Sequence, residues 1–156
     1  MGITPKFGNG AVARQIEAFK QRLDKATLYM LNYLGESLAS YAKDRHNYTD
    51  RTGNLTNSIG YAVVRNRKIV TYGGAIQPGE GASEGLKIAT EMANNCQGTF
   101  SLLIVAGMNY AAYVEAQGYN VILPAELKAK ADFPAAMQRL SAMAKSKAQQ
   151  IFNANI

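Results

Sequence analysis

The sequence predicts an α+β domain in which a long N-terminal helix and a C-terminal helix pack on a small, mostly antiparallel β-sheet. Three observations carry that prediction. Apolar residues recur every three or four positions at both ends of the chain, two β-branched runs in the middle flank a polar turn, and one further run is apolar without interruption. With 156 residues, 47% of them hydrophobic, the chain has material for one core, so a single domain spanning 1–156 is expected.

The first helix is predicted over 11–46. Val12, Ile16, Phe19, Leu23, Ala26, Met30, Leu34, Leu38 and Tyr41 fall on one helical face. At 1.5 Å per residue the pattern runs roughly 45 Å, longer than a small domain needs for its own core. Either the helix crosses a sheet for its whole length or part of its stripe is kept for a partner, with Gly35 as a bend. The segment "DRHNYTDRTGN" should end the helix, because Asn, Asp, Thr and Gly compete for backbone hydrogen bonds. Gly53 is placed at a sharp turn, and Leu55 and Ile59, with Thr52 as cap, predict one helical turn before the sheet.

"YAVV", "RNRK" and "IVTYGG" read as a β-hairpin over 61–73 with Arg65, Arg67 and Lys68 at its tip. A Gly-rich insert and a short helix follow over 74–98. The insert is expected to be an exposed loop, flexible or ordering against a neighbouring subunit, and the helix carries Leu86, Ala89, Ala93 and Cys96 on its apolar face. The segment 100–123 opens with "FSLLIVAGM", whose unbroken apolar run places this strand in the middle of the sheet. "YNVIL" offers a short fourth strand. The closing helix is predicted over 132–153, capped by Asp132 with Pro134 in its first turn, and Phe133, Met137, Leu140, Ala144, Ala148 and Ile151 form its apolar face.

Composition limits the chemistry. Cys96 is the single cysteine and His46 the single histidine, which leaves no disulfide framework and no set of zinc ligands. No metal or other cofactor is expected. Ser58 or Cys96 as a nucleophile would need a base, and no motif links His46 to either, so no catalytic residues are assigned and no reaction is expected. Gly79, Gly81 and Gly85 match neither a phosphate loop nor a dinucleotide fingerprint. The net charge of +6 permits an anionic neighbour, yet basic and acidic residues are interspersed through Met1 to Arg51 with no basic tail. The longest apolar stretch, Leu102 to Gly107, is far short of the roughly 20 residues that cross a bilayer. Met1 to Lys6 opens no charged-then-apolar leader. A soluble protein without a membrane partner, made in the cytosol, is the expectation.

Two stretches stand out. In "RTGNLTNSIGY" the marked positions are Thr52, Gly53, Leu55, Ser58 and Ile59; in "GMNYAAYVEAQG" they are Tyr110, Ala111, Tyr113, Val114, Glu115 and Gly118. If Asn109 caps a short helix in the second, Tyr110, Tyr113, Val114 and Gln117 share one side. Glu115, without a second carboxylate or a histidine, is a poor general acid. Periodicity leaves a core role and an interface role for the tyrosines both open.

As an ordered pair the two stretches resemble the signature of the tail-completion or neck proteins of tailed bacteriophages, the head–tail joining or minor tail components. The order of elements is similar too: a long first helix, the Thr-Gly-x-Leu-x-x-Ser-Ile segment, strands, Tyr-Ala-x-Tyr-Val-Glu followed by Gly, and a closing helix. The chain departs from the pattern in the extra residue before Gly118 and in the Gly-rich insert. The resemblance implies a virion structural protein, synthesised in the host cytoplasm. Its copies would form a homo-oligomeric ring in the neck between the portal or connector and the tail proteins. Genome DNA would pass through the lumen without sequence-specific binding, with Arg65, Arg67 and Lys68 as possible lumen contacts. The rival reading is a non-enzymatic nucleic-acid-binding module using the basic hairpin.

Overall fold

A computed structural model describes residues 9–154. The elements are α1 (Asn9–Asp44), α2 (Asn54–Asn57), β1 (Ile59–Arg65), β2 (Lys68–Gly73), α3 (Glu80–Ala93), β3 (Phe100–Ala106), α4 (Ala111–Ala116) and α5 (Leu123–Ala154). The protein is α+β, with one three-stranded sheet in the order β2-β1-β3, antiparallel throughout.

Strand alternation divides β1 between two cores. Tyr61 and Val63 point to α1, where they meet Leu31 and Ala39. Ala62 and Val64 point to the other face and meet Ala89 and Ala93 of α3. The sheet is therefore covered on both sides, and β1 is buried along nearly its whole length. The prediction that the third strand is central is corrected: β1 is central and β3 lies at the edge. Leu102 and Ile104 of β3 still face the α1 side while Leu103 and Val105 face α3. An unbroken apolar run reports helices on both faces, which edge and centre share; it carries no information on lateral position.

The hairpin turn is built by Asn66 and Arg67, both with positive φ (50° and 67°), the backbone sign that lets a two-residue turn follow strand twist. A β-bulge near Val63 then shifts the β1–β2 register.

α1 runs unbroken through Gly35, so the bend expected there gives way to a packing role. A Cβ at Gly35 would stand 2.2 Å from a Tyr61 ring carbon. Leu31, Leu34 and Leu38 are buried against the sheet. Phe19, Leu23, Ala26, Met30 and Tyr41 are covered only in part, along α5, whereas Val12 and Ile16 are exposed.

The closing helix starts nine residues earlier than predicted, at Leu123 and not at Asp132. Pro124 supplies the first-turn proline. Asp132 is no cap; it lies inside the helix, ion-paired to Lys128 one turn before it. Pro134 is internal to α5 and exposed, so the carbonyl that loses its N–H partner faces water. The fourth strand does not form. Val121 is buried in the core beside Leu38, Leu55 and Ile59, at the turn into α5.

Candidate assembly surfaces

The two sequence stretches meet. α2 begins after Gly53, which holds φ 76° and occupies the N-cap position expected of Thr52, with no side-chain cap; the Thr52 hydroxyl, one residue outside, accepts the Asn54 N–H at 3.2 Å. The Asp50 carboxylate takes the Thr56 N–H at 2.8 Å. One turn later Ser58 is fully buried. Its hydroxyl donates to the Leu55 carbonyl at 2.7 Å and accepts from the Met108 N–H at 3.4 Å. Its carbonyl accepts from the Gly107 N–H at 3.2 Å. Leu55 and Ile59 share one core cluster with Ala111, and Val114 packs against it.

The second stretch divides between core and surface. Ala111 is buried, while Tyr113 is 67% exposed and Tyr110 is 38% exposed. Asn109 is not the cap expected; the N-cap position of α4 is Tyr110, with no side-chain cap. Glu115 has a structural partner instead of a catalytic one: its carboxylate accepts the Leu123 N–H at 2.6 Å and the Ile122 N–H at 3.1 Å. It thus closes the open amides at the start of α5. Gly118 adopts φ 91° in the turn between α4 and α5, a conformation that glycine takes without strain.

The Gly-rich insert is not a loop throughout. Gly81 and Gly85 belong to α3 and form its buried face with Ala89 and Ala93. A Cβ on Gly81 would lie 2.4 Å from the Asn54 carbonyl oxygen, and one on Gly85 2.7 Å from that of Ser58. The glycines let α3 sit against the α2–β1 turn. Leu86, placed by sequence on the apolar face, is exposed, and Cys96 falls beyond the helix end, partly covered by the α3-side core. Tyr72 reaches under α3 with its hydroxyl buried and unpaired, and burial pushes its phenol above the ordinary range. Tyr48 shifts the same way, from burial first, against the opposing effect of its hydrogen bond to Thr56.

The hairpin tip is less basic toward solvent than the sequence implies. Arg65 lies at the end of β1, bonded to Asp24 of α1 at 2.7 Å and stacked over Phe100. Arg67 and Lys68 are exposed there, and Arg65 is half-buried.

A feature that the motifs did not mark lies along α1 and α5, which pack antiparallel. Between them runs an open groove of about 540 Å³ lined by Met30, Leu34, Ala136 and Leu140 and bordered by Tyr29, Tyr33, Arg139 and Met143. Tyr29 is 77% exposed, Tyr33 69% and Met143 64%. The available signal is two tyrosines four residues apart on α1, beside its apolar stripe.

Among the described residues no cluster of three or more His, Cys, Asp or Glu side chains could hold a metal, and no helix is long and apolar enough to cross a membrane. No family model, curated protein or solved structure matches the chain.

Proposed function

We propose that this protein is a non-enzymatic structural component of a tailed-bacteriophage virion. It is read as a tail-completion or neck subunit whose copies form a ring between portal or connector and tail, leaving a channel for DNA. The observation that carries this reading is the convergence of the two resembling stretches, through Ser58 and the Gly107–Met108 backbone, into one rigid junction. Residues forty and more positions apart that meet in this way behave as one structural signature, in the element order that the resemblance implies. The junction holds Tyr113 outward on α4, and exposed tyrosines beside small residues suit a subunit contact. Ring closure calls for two different surfaces on each copy.

The rival, a nucleic-acid module using the hairpin, loses support because Arg65 is spent on Asp24 and Phe100. Its distinguishing mark would be duplex affinity that falls steeply with salt and depends on Arg67 and Lys68.

Mass spectrometry of purified particles, with electron microscopy of a gene deletion, tests the proposal. The expected result is the protein in virions, and filled heads without joined tails in the deletion. Tyr113→Asp should reproduce that phenotype while folding normally. Joined tails in the deletion, with the protein absent from virions, would overturn the reading.

A further inference from the structure

Charge in this molecule is gathered by the fold in a way that chain order conceals. The first half of α1 carries Arg14, Lys20, Arg22 and Lys25 against Glu17 and Asp24, and Asp24 is already taken by Arg65. The second half of α5 carries Arg139, Lys145 and Lys147, and the chain has no acidic residue after Asp132. Packed antiparallel, these segments form one basic arm, in which Arg22 and Lys147 border the same recess. Helical spacing puts Arg22, Lys25, Tyr29 and Tyr33 on the side of α1 turned away from the buried Leu31, Leu34 and Leu38.

On the opposite face of the sheet α3 presents the reverse. Its buried side is Gly81, Gly85, Ala89 and Ala93, so Glu80, Glu84 and Glu91 form the outward stripe, opposed only by Lys87. Exposed Leu86 and Met92 border the buried face of α3, whereas exposed Tyr29, Tyr33 and Met143 lie beside the basic stripe.

We propose that the basic arm docks the acidic outer face of α3 from a second copy of this chain, a head-to-tail contact. This rests on the ring reading and names the two surfaces that would meet in it. Opposite charge gives the contact its register, and the exposed tyrosines and methionine beside the basic stripe give it area to bury. The two surfaces are different and face in opposite directions, which makes the contact heterologous, the kind that closes into a ring or continues as a filament. A second copy suits the arm better than a DNA backbone does, because an apolar groove between tyrosines and methionine gains nothing from phosphates.

Sedimentation of the purified full chain tests this with two double variants, Arg22→Glu with Arg139→Glu on the arm and Glu84→Arg with Glu91→Arg on α3. Wild type should self-associate at low salt and lose this at about 1 M salt, where the screening length is about 3 Å. Each double variant should weaken association by at least about tenfold. An equimolar mixture should recover association, since the native basic arm of one variant meets the native acidic α3 of the other and the two reversed surfaces are again opposite in charge. A wild type that stays monomeric at low salt, or associates equally in all variants, overturns the proposal. So does an arm variant that loses duplex DNA binding with self-association unchanged, which would make the arm a phosphate surface. Rings in particles with variants unaffected would leave the neck reading standing and this pairing refuted. Charge-dependent pairing in a protein absent from virions would do the reverse.

Discussion

The junction around Ser58 and the arm formed by α1 and α5 are opposites in construction. At the junction, backbone meets backbone: Gly85 and Gly107 have no room for side chains, and Ser58 is fully buried with its hydroxyl and carbonyl both bonded. In the arm, two long helices touch along a seam and leave tyrosines, a methionine and uncompensated cations in solvent. The first region determines whether the chain folds. The second contributes little to that and presents most of what a partner could grip. Mutations should separate the two cleanly, with large stability costs at the junction and almost none in the arm.

The largest expected effect is at Gly107. A Cβ there would lie 2.2 Å from the Gly85 backbone nitrogen and 2.3 Å from the Glu84 carbonyl carbon. No rotamer relieves a clash between backbones, so α3 or the edge strand must move. Gly107→Val should cost more than about 4 kcal/mol, read as loss of the cooperative transition in a urea melt. A variant with near wild-type stability would show that α3 is loosely held and would blur the contrast.

How far the sequence reveals each region follows from what periodicity records. Helix stripes and β alternation located α1, the hairpin and α5 to within a few residues, except where Pro134 resembled a first-turn proline. Such a signal describes which side of an element is buried and not what buries it. That is why the apolar run of β3 reads as a central strand and Gly81 and Gly85 read as a loop: glycine is an ambiguous letter, marking either a turn or a close approach. The junction is half visible, since both stretches stand out in the sequence but their contact depends on tertiary geometry. The arm's charge was hidden because its basic residues lie at opposite ends of the chain and only α1–α5 packing adds them together.

A smaller effect is expected at Tyr72, on the α3 side of the same core. Its buried hydroxyl has no partner, so Tyr72→Phe should stabilise the protein by about 1 kcal/mol at neutral pH. Burial raises the folded-state pKa of Tyr72 and Tyr48 above the ordinary value of 10.0. For a raised pKa the stability is fully present below about pH 10 and is lost as pH rises from there, because the unfolded phenol ionises first. Urea melts at about pH 7 and pH 11 should show wild type losing stability on the alkaline side and Tyr72→Phe losing less. An unchanged alkaline loss would mean that Tyr72 is hydrated and the α3 packing is looser than its glycines imply.

The smallest effect on folding is expected in the arm, at Tyr29 and Tyr33. Both rings stand mostly in water on the side of α1 away from the sheet, so replacing them removes little buried area. Tyr29→Ser combined with Tyr33→Ser should change stability by less than about 0.5 kcal/mol beyond the small helix-propensity difference, measured by thermal melt. The same variant should fail to assemble, since an exposed aromatic contributes its area only once a partner covers it. A large loss of stability would mean that the tyrosines already pack within the monomer, and the distinction between a folding region and a gripping region would collapse. Unchanged stability with unchanged assembly would keep that distinction but move the gripping surface elsewhere, leaving Tyr113 and the outer face of α3 as the exposed contacts still to be tested.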